Sequence, residues 1–342
     1  MGILTFTIFL KHDKIPLTDQ DAFLILAPDK EKFPPVLSVR MRFAQTHPGT
    51  CTDGQPFLNE VNMNYQTLLV ESRNGVGIVW MSRADHGNSL DETMVAELTA
   101  AMRSLDDDSA VRAVVLAGAG DTFCAGIDRD WLQRMTDNSF KRNHADAMKL
   151  ATLLESIRTL RKPTIARVHG PVLNDGAGLV AACDMAVASY GAEFCLSEVR
   201  VGVIPAVIMP YLIRAMGERA ARHYCLSAER FTAAEAYRTG LVTDIAPLDE
   251  LDARINELLG QLFQGAPSAQ ALVKDWIRAA AGVPITPSLL DGGAKRHATA
   301  CISEEAREGL DALLVRRKPA WLRKTKKSAP AKKTAAKGKR KP

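Results

Sequence analysis

Short apolar runs recur along this chain, separated by longer amphipathic stretches, and that alternation restricts the fold more than any other feature. Val76 to Met81, Val111 to Leu116, Thr164 to Val168, Met185 to Ala188 and Leu241 to Ile245 each have the length and apolar content of a buried strand. Tyr65 to Ser72 reads as a further strand, joined to Val76 to Met81 through Asn74-Gly75, a strong hairpin signal. Asp91 to Leu105 reads as a helix with Met94, Val95, Leu98, Ala101, Met102 and Leu105 on one side. Strands that alternate with helices predict an α/β fold with a largely covered sheet.

Beyond Ala246 the strand signal stops. Leu248 to Phe263, Ser268 to Ala281 and roughly Gly293 to Leu314 read as helices, separated by Gly265-Ala266-Pro267 and by Gly282 to Pro287. The ends differ from the body. Residues 28–56 are rich in Pro, Gly and Thr without periodicity, and Met63 is a natural first residue, so 1–62 are expected to be an extension or a start assigned too far upstream. The apolar Met1 to Leu10 lacks a basic region before it and a small-residue cleavage site after it, which argues against a secretory signal. Residues 323–342 hold ten Lys/Arg and no acid, so the net charge of +5 becomes −5 without them. An acidic body with a separate polybasic tail argues against a nucleic-acid-binding core. The expected domains are therefore 1–62, a core over 63–247, a helical region over 248–322 and a basic, solvated tail over 323–342.

No apolar run approaches the roughly 20 residues of a membrane helix. Six scattered cysteines show no metal or disulfide spacing, which points to reduced thiols and a cytoplasmic protein. No Ser-His-Asp elbow, metal-ligand pattern or dinucleotide fingerprint is present.

Three short segments carry candidate chemistry. In Asp121 to Asp128, Gly126 permits close backbone approach, and the amides that follow it either bind an oxyanion or simply open a helix capped by Asp128. In Asn174-Asp175-Gly176-Ala177-Gly178, a helix start offers free N–H groups of the kind an oxyanion hole uses, or is a capped buried helix. Glu198, beside Leu196, Val199 and Val201, is either a partly desolvated acid/base or the partner of Arg200 or another arginine.

These segments carry a resemblance that spacing alone does not show. FCAGID (123–128), with the preceding loop Asp85-His86-Gly87-Asn88-Ser89-Leu90, resembles the crotonase, or enoyl-CoA hydratase/isomerase, superfamily. So do KPTIARVHGPVLNDGAGLVAACDMAVAS (162–189), FCLSEVRVGVIPAVIMPYLIRAMGERAARHYCLSAERFTAAEAYRTGLV (194–242) and EGLDALLVRRKPAW (308–321). The likeness spans about 64–321 and is strongest to bacterial methylglutaconyl-CoA hydratases and their isohexenylglutaconyl relatives.

The resemblance implies a spiral of ββα units with a C-terminal helical trimerisation region, assembling as trimers or dimers of trimers. It implies that the backbone N–H groups of Ile127 and Asp175 stabilise a thioester enolate and that Glu198 is the acid/base. Coenzyme A, arriving as part of the substrate with no separate cofactor or metal, would lie along Arg83, Asn88, Ala125, Gly126, Ile127, Asp128 and Gly176, with Lys318 of a neighbouring subunit at its phosphates. The implied reaction is hydration of a branched enoyl-CoA. Alternatives are isomerisation on the same scaffold, or a non-catalytic acyl-CoA-fold protein whose basic tail binds a polyanion such as RNA. Two departures stand out: Gly178 occupies the position of a second glutamate, and Asn174-Asp175 replaces part of a glycine-rich triplet.

Overall fold

The computed structural model describes residues 65–322, so the expected extension over 1–62 and the basic tail over 323–342 lie outside the described residues. The main sheet has six strands. β1 (Leu68–Arg73) and β2 (Val76–Met81) form the hairpin, with Asn74 and Gly75 both at positive φ as the tight turn requires. β3 (Ala113–Gly118), β4 (Thr164–Val168), β6 (Met185–Ser189) and β9 (Asp244–Ala246) then add in order, each parallel to its neighbour and to β2. A small second sheet orders β5 (Val172–Leu173), β7 (Glu193–Cys195) and β8 (Phe231–Thr232).

Both faces of the main sheet are covered, which explains why its strands read as continuous apolar runs. Val114 and Leu116 of β3 join a core shared with helices α1 (Glu92–Asp107), α3 (Phe140–Thr159), α4 (Asp175–Ala182) and α5 (Met209–Ser227). Ala113 and Val115, one residue out of phase, face α7 (Leu251–Leu262) through Leu251, Ile255 and Leu259. The apolar stripe expected on α1 is fully buried, and Asp91 caps that helix by accepting from the Met94 N–H.

Several sequence-based boundaries move, with β1 starting at Leu68 rather than Tyr65 and β3 at Ala113 rather than Val111. Leu241 and Val242 are buried in a turn, and β9 begins only at Asp244. The single helix expected over Gly293 to Leu314 is two: α9 (Pro287–Cys301) starts inside the segment read as a loop, and α10 (Glu304–Leu314) restarts after Ser303. Thr286 and Ser303 each accept a backbone N–H three residues on, and Pro287 suits the first helical turn, so both starts are capped locally. α8 (Pro267–Ala280) completes the C-terminal helices, and α6 (Ala233–Thr239) precedes β9.

Because β2, β3, β4, β6 and β9 run the same way, the loops that leave their C-terminal ends meet at one edge of the sheet. In open parallel sheets that edge is where ligands bind.

Candidate active site

Two of the candidate segments leave that edge and are stitched together. Cys124 bridges Val172 in parallel fashion, and β5 pairs in turn with β7, so 121–128, 171–175 and 193–198 lie side by side. The Cys124 carbonyl accepts from Leu173 N at 2.9 Å, and the Cys195 carbonyl accepts from Asn174 N at 2.8 Å. Ile127 bridges Leu90, with Leu90 N donating to Gly126 O at 2.7 Å and Asp128 N to Leu90 O at 2.9 Å.

The approach between the two loops depends on glycine. Gly126 has φ +88°, and a β-carbon there would lie 3.0 Å from the Asn174 Cβ and 3.5 Å from the Asp175 nitrogen. A β-carbon at Gly176 would lie 2.7 Å from the Cys124 carbonyl oxygen. The residues around the amides of Ile127 and Asp175 are thus packed against each other, though these amides lie 48 residues apart in sequence.

Asn174 is not the side-chain cap that its residue type suggests. Its φ is 50° and ψ is −122°, backbone normally left to glycine, at a cost of about 1–3 kcal/mol. Its Oδ1 instead accepts from the Ser197 backbone N–H at 2.8 Å and the Ser197 hydroxyl at 2.9 Å. This clamp ties the start of α4 to the residue before Glu198. The only sequence signal for it was an asparagine where a glycine would be easiest, since asparagine tolerates positive φ better than most residues.

Glu198 opens a 3₁₀ turn (Glu198–Val201), and both of its carboxylate oxygens are buried without a hydrogen-bond partner. Burial pushes the carboxyl up to about 7; its own amide opposes this, and the Asp175 charge adds to it. The expected neighbours supply little of that burial, since Val199 is 41% and Val201 76% exposed. Leu196 is buried, as is Cys225 of α5, whose thiol is raised by burial and by the Glu198 charge. Pairing with Arg200 does not occur: that guanidinium donates to the Ala228 carbonyl at 2.7 Å. Asp175 is also a perturbed acid, raised by burial to about 6, and the amides of Asp175 itself and of Ile127 draw it back only partly.

The second acidic position of the two-glutamate pattern is closed sterically. A β-carbon on Gly178 would lie 2.4 Å from Cγ2 and 2.9 Å from Cβ of Ile208, so Ile208 fills the space that a longer residue would need. Neither Ile208 nor Cys225 was singled out from sequence, because an isoleucine or a lone cysteine in an apolar run carries no signal of its own.

The remaining predicted residues separate into two groups. Asn88 is fully buried at φ 54°, giving its amide to the carbonyls of Ala119 and Thr122 and accepting from Arg83 N. Arg83 holds the Ser89 carbonyl, Asp91 and Asp128. Asp128 caps α2 (Arg129–Asp137), and although burial opposes ionisation, the Asp130 amide, Ser89 hydroxyl and Arg83 hold its carboxyl below the usual range. These three side chains thus brace the loops that carry Ala125, Gly126 and Ile127, and Ala125 N donates to Gly87 O at 2.9 Å.

Lys318 is exposed and lies elsewhere. The segment that carries it is moored through the Trp321 carbonyl to Arg112, at the start of β3, whereas Ile127 follows the other end of that strand. Among the described residues no cluster of His, Cys, Asp and Glu is placed to hold a metal, and no helix is long and apolar enough to cross a membrane.

The chain is similar to known proteins over most of its length. The family described as enoyl-CoA hydratase/isomerase matches residues 71–324. The mitochondrial enoyl-CoA hydratase of Pongo abelii is 27% identical over 278 residues, 79% of this chain and 92% of its own length. The crystal structure of an enoyl-CoA hydratase from Shewanella pealeana superposes with a TM-score of 0.73 at 35% identity, covering 75% of this chain and 97% of that one. Pseudomonas aeruginosa AtuE superposes with a TM-score of 0.71 at 35% identity, covering 75% of this chain and all of that one (100%).

Proposed function

The chain belongs to the enoyl-CoA hydratase/isomerase family and has its crotonase fold, and from that premise we propose that it adds water across the 2,3 double bond of a branched, methylglutaconyl-like enoyl-CoA. The observation that carries this reading is Glu198. It is a buried carboxyl near neutrality with no partner on either oxygen, next to Ser197, whose clamp to Asn174 ties it to the packed loops that carry the amides of Ile127 and Asp175. A group with a pKa near ambient pH exchanges protons in both directions, as a reversible hydration requires.

In this mechanism the amides of Ile127 and Asp175 donate to the thioester carbonyl and draw charge from the double bond. Glu198 takes a proton from water as the oxygen attacks C3, and then returns that proton to C2 of the resulting enolate, which restores the carboxylate. Loss of a single oxyanion donor typically costs about 10²–10³ in rate. Coenzyme A enters with the substrate along the loops after Arg83 and Ala125, and neither a metal nor a separate cofactor takes part. Since the side chains of Arg83, Asn88 and Asp128 brace those loops from within, their assignment here is to hold the backbone that meets the ligand.

A second reading on the same scaffold is enoyl-CoA isomerisation. It is favoured by the closed position at Gly178, which leaves Glu198 without the second glutamate of the two-glutamate pattern, and a proton shuttle between two carbons needs one base. Assays with 3-methylglutaconyl-CoA, crotonyl-CoA and a longer branched enoyl-CoA separate these readings. Hydration of the branched substrates supports the proposal. Activity on crotonyl-CoA alone removes the branched specificity, and migration of the double bond without hydration replaces the reaction.

Self-association is part of the same proposal. Met209 and Ile213 of α5, with Ile204 before it, line an apolar groove of about 1240 Å³ shared with Ile277 of α8. Val273, Leu290, Leu310 and Leu314 of the C-terminal helices are exposed as well. A second and third copy covering these faces accounts for apolar surface on this scale. It also brings a neighbour's Lys318 toward the coenzyme A loops, which it does not approach within one chain.

A further inference from the structure

Glu198 has no hydrogen bond on either carboxylate oxygen to hold it, so its place depends on the backbone beneath it. That backbone is weakly packed within one chain. No residue of the 3₁₀ turn (Glu198–Val201) is fully buried, and Val199, Val201, Val203 and Ile204 are all exposed. The core therefore does little to fix the turn, and hydrogen bonds fix it instead. On its far side the Arg200 guanidinium donates to the Ala228 carbonyl. On its near side, one residue before Glu198, Ser197 donates twice to the Oδ1 of Asn174, from its backbone N–H at 2.8 Å and from its hydroxyl at 2.9 Å.

Asn174 holds this geometry against its own preference. At φ 50° and ψ −122° it occupies backbone that glycine adopts freely and other residues adopt at a cost. Its side chain makes no capping bond to α4 that would offset the strain. Its main chain does only what a glycine there could also do: the N–H donates to the Cys195 carbonyl at 2.8 Å, and the carbonyl accepts from Ala177 N at 2.9 Å. What the asparagine adds is Oδ1, and both hydrogen bonds to that oxygen come from Ser197.

We propose that Asn174 is a positioning residue for the hydration step: through Ser197, its side chain fixes the Glu198 carboxyl relative to the loop that carries the Asp175 amide. The inference rests on the hydratase reading, since it needs Glu198 to be the acid/base. Rate falls steeply when reacting groups are displaced, and a shift of about 1 Å can cost about 10²-fold. Ligand binding is less sensitive to the clamp, because the Asp175 N–H is placed by main-chain bonds of residue 174 that a glycine retains.

The test combines two measurements on the full chain. One is the single-turnover hydration rate with the best substrate among 3-methylglutaconyl-CoA, crotonyl-CoA and a longer branched enoyl-CoA. The other is the affinity for butyryl-CoA, which has no double bond to hydrate. Wild type, Asn174→Gly and Ser197→Ala are compared, each also combined with Glu198→Gln, and thermal unfolding shows which are folded. Asn174→Gly should lower the hydration rate by about 10–10²-fold and leave butyryl-CoA affinity little changed. Ser197→Ala removes only the hydroxyl donor and does not alter residue 174. It should lower the rate in the same sense by less, and it decides the question if the glycine variant does not fold. Combined with Glu198→Gln, neither substitution should add a further loss, because the group it positions is already gone. Wild-type rates in both single variants, or losses undiminished by Glu198→Gln, would overturn the positioning role while leaving the hydratase reading intact. A wild-type protein that hydrates none of the three substrates would overturn both.

Discussion

Glu198 is held where its charge is unwelcome, and that has separate consequences for rate and for stability. As a base it must be ionised, so turnover should rise as pH increases through about 7. Glu198→Gln should lower turnover by roughly 10²–10⁴ with acyl-CoA affinity little changed. Wild-type turnover in that variant would remove the assigned role. The stability effect has the opposite sense. The folded-state pKa lies above the ordinary carboxylate value, so the contribution is fully present below about 4.5 and is lost as pH rises through about 7. Although the carboxylate oxygens are buried, the residue as a whole is only half-buried, which discounts the linkage energy to about 1–2 kcal/mol. Denaturant melts should show wild type losing that much between pH 4.5 and 8 relative to Glu198→Gln.

At the scale of elements, the packing of α4 on the chain before α5 decides which acid the site can hold. Gly178→Ala pushes a methyl into Ile208 and should destabilise by about 1–3 kcal/mol. Ile208→Ala, which empties a fully buried position, should cost about 2–5 kcal/mol alone. Together they should cost less than their sum, since the alanine at 208 makes room for the one at 178; additive losses in a double-mutant cycle would deny the clash. The sheet and the larger helices were legible in the sequence for a reason visible here. Strands such as β3 are apolar throughout because each face packs on a helix layer, and α1 carries one buried stripe between a capping Asp91 and its end. The small sheet was not legible. β5 and β8 are two residues each, too short to show a period, and are held by pairing with β7. For the site, Gly126, the Asp175 amide and Glu198 were legible as motifs. The Asn174–Ser197 clamp and the Ile208 plug were not, because each depends on a contact between residues more than twenty positions apart.

At the scale of the whole molecule, the proposed self-association predicts more than one copy of the chain in the particle. Sedimentation should give a trimer or a dimer of trimers, and a monomer at micromolar concentration would contradict the self-association proposal. Lys318→Ala should raise the KM for a coenzyme A thioester and leave that of the same acyl group on N-acetylcysteamine, which lacks the phosphates, unchanged. A loss on both would show that the exposed Lys318 acts through folding instead. The central claim, that this site adds water with Glu198 as the acid/base, is tested most directly by running the reaction in H₂¹⁸O. With 3-methylglutaconyl-CoA, the predicted result is ¹⁸O on C3 of the 3-hydroxyacyl product in wild type and almost none with Glu198→Gln. Consumption of the substrate without ¹⁸O at C3, or equal labelling by the Gln variant, would contradict it.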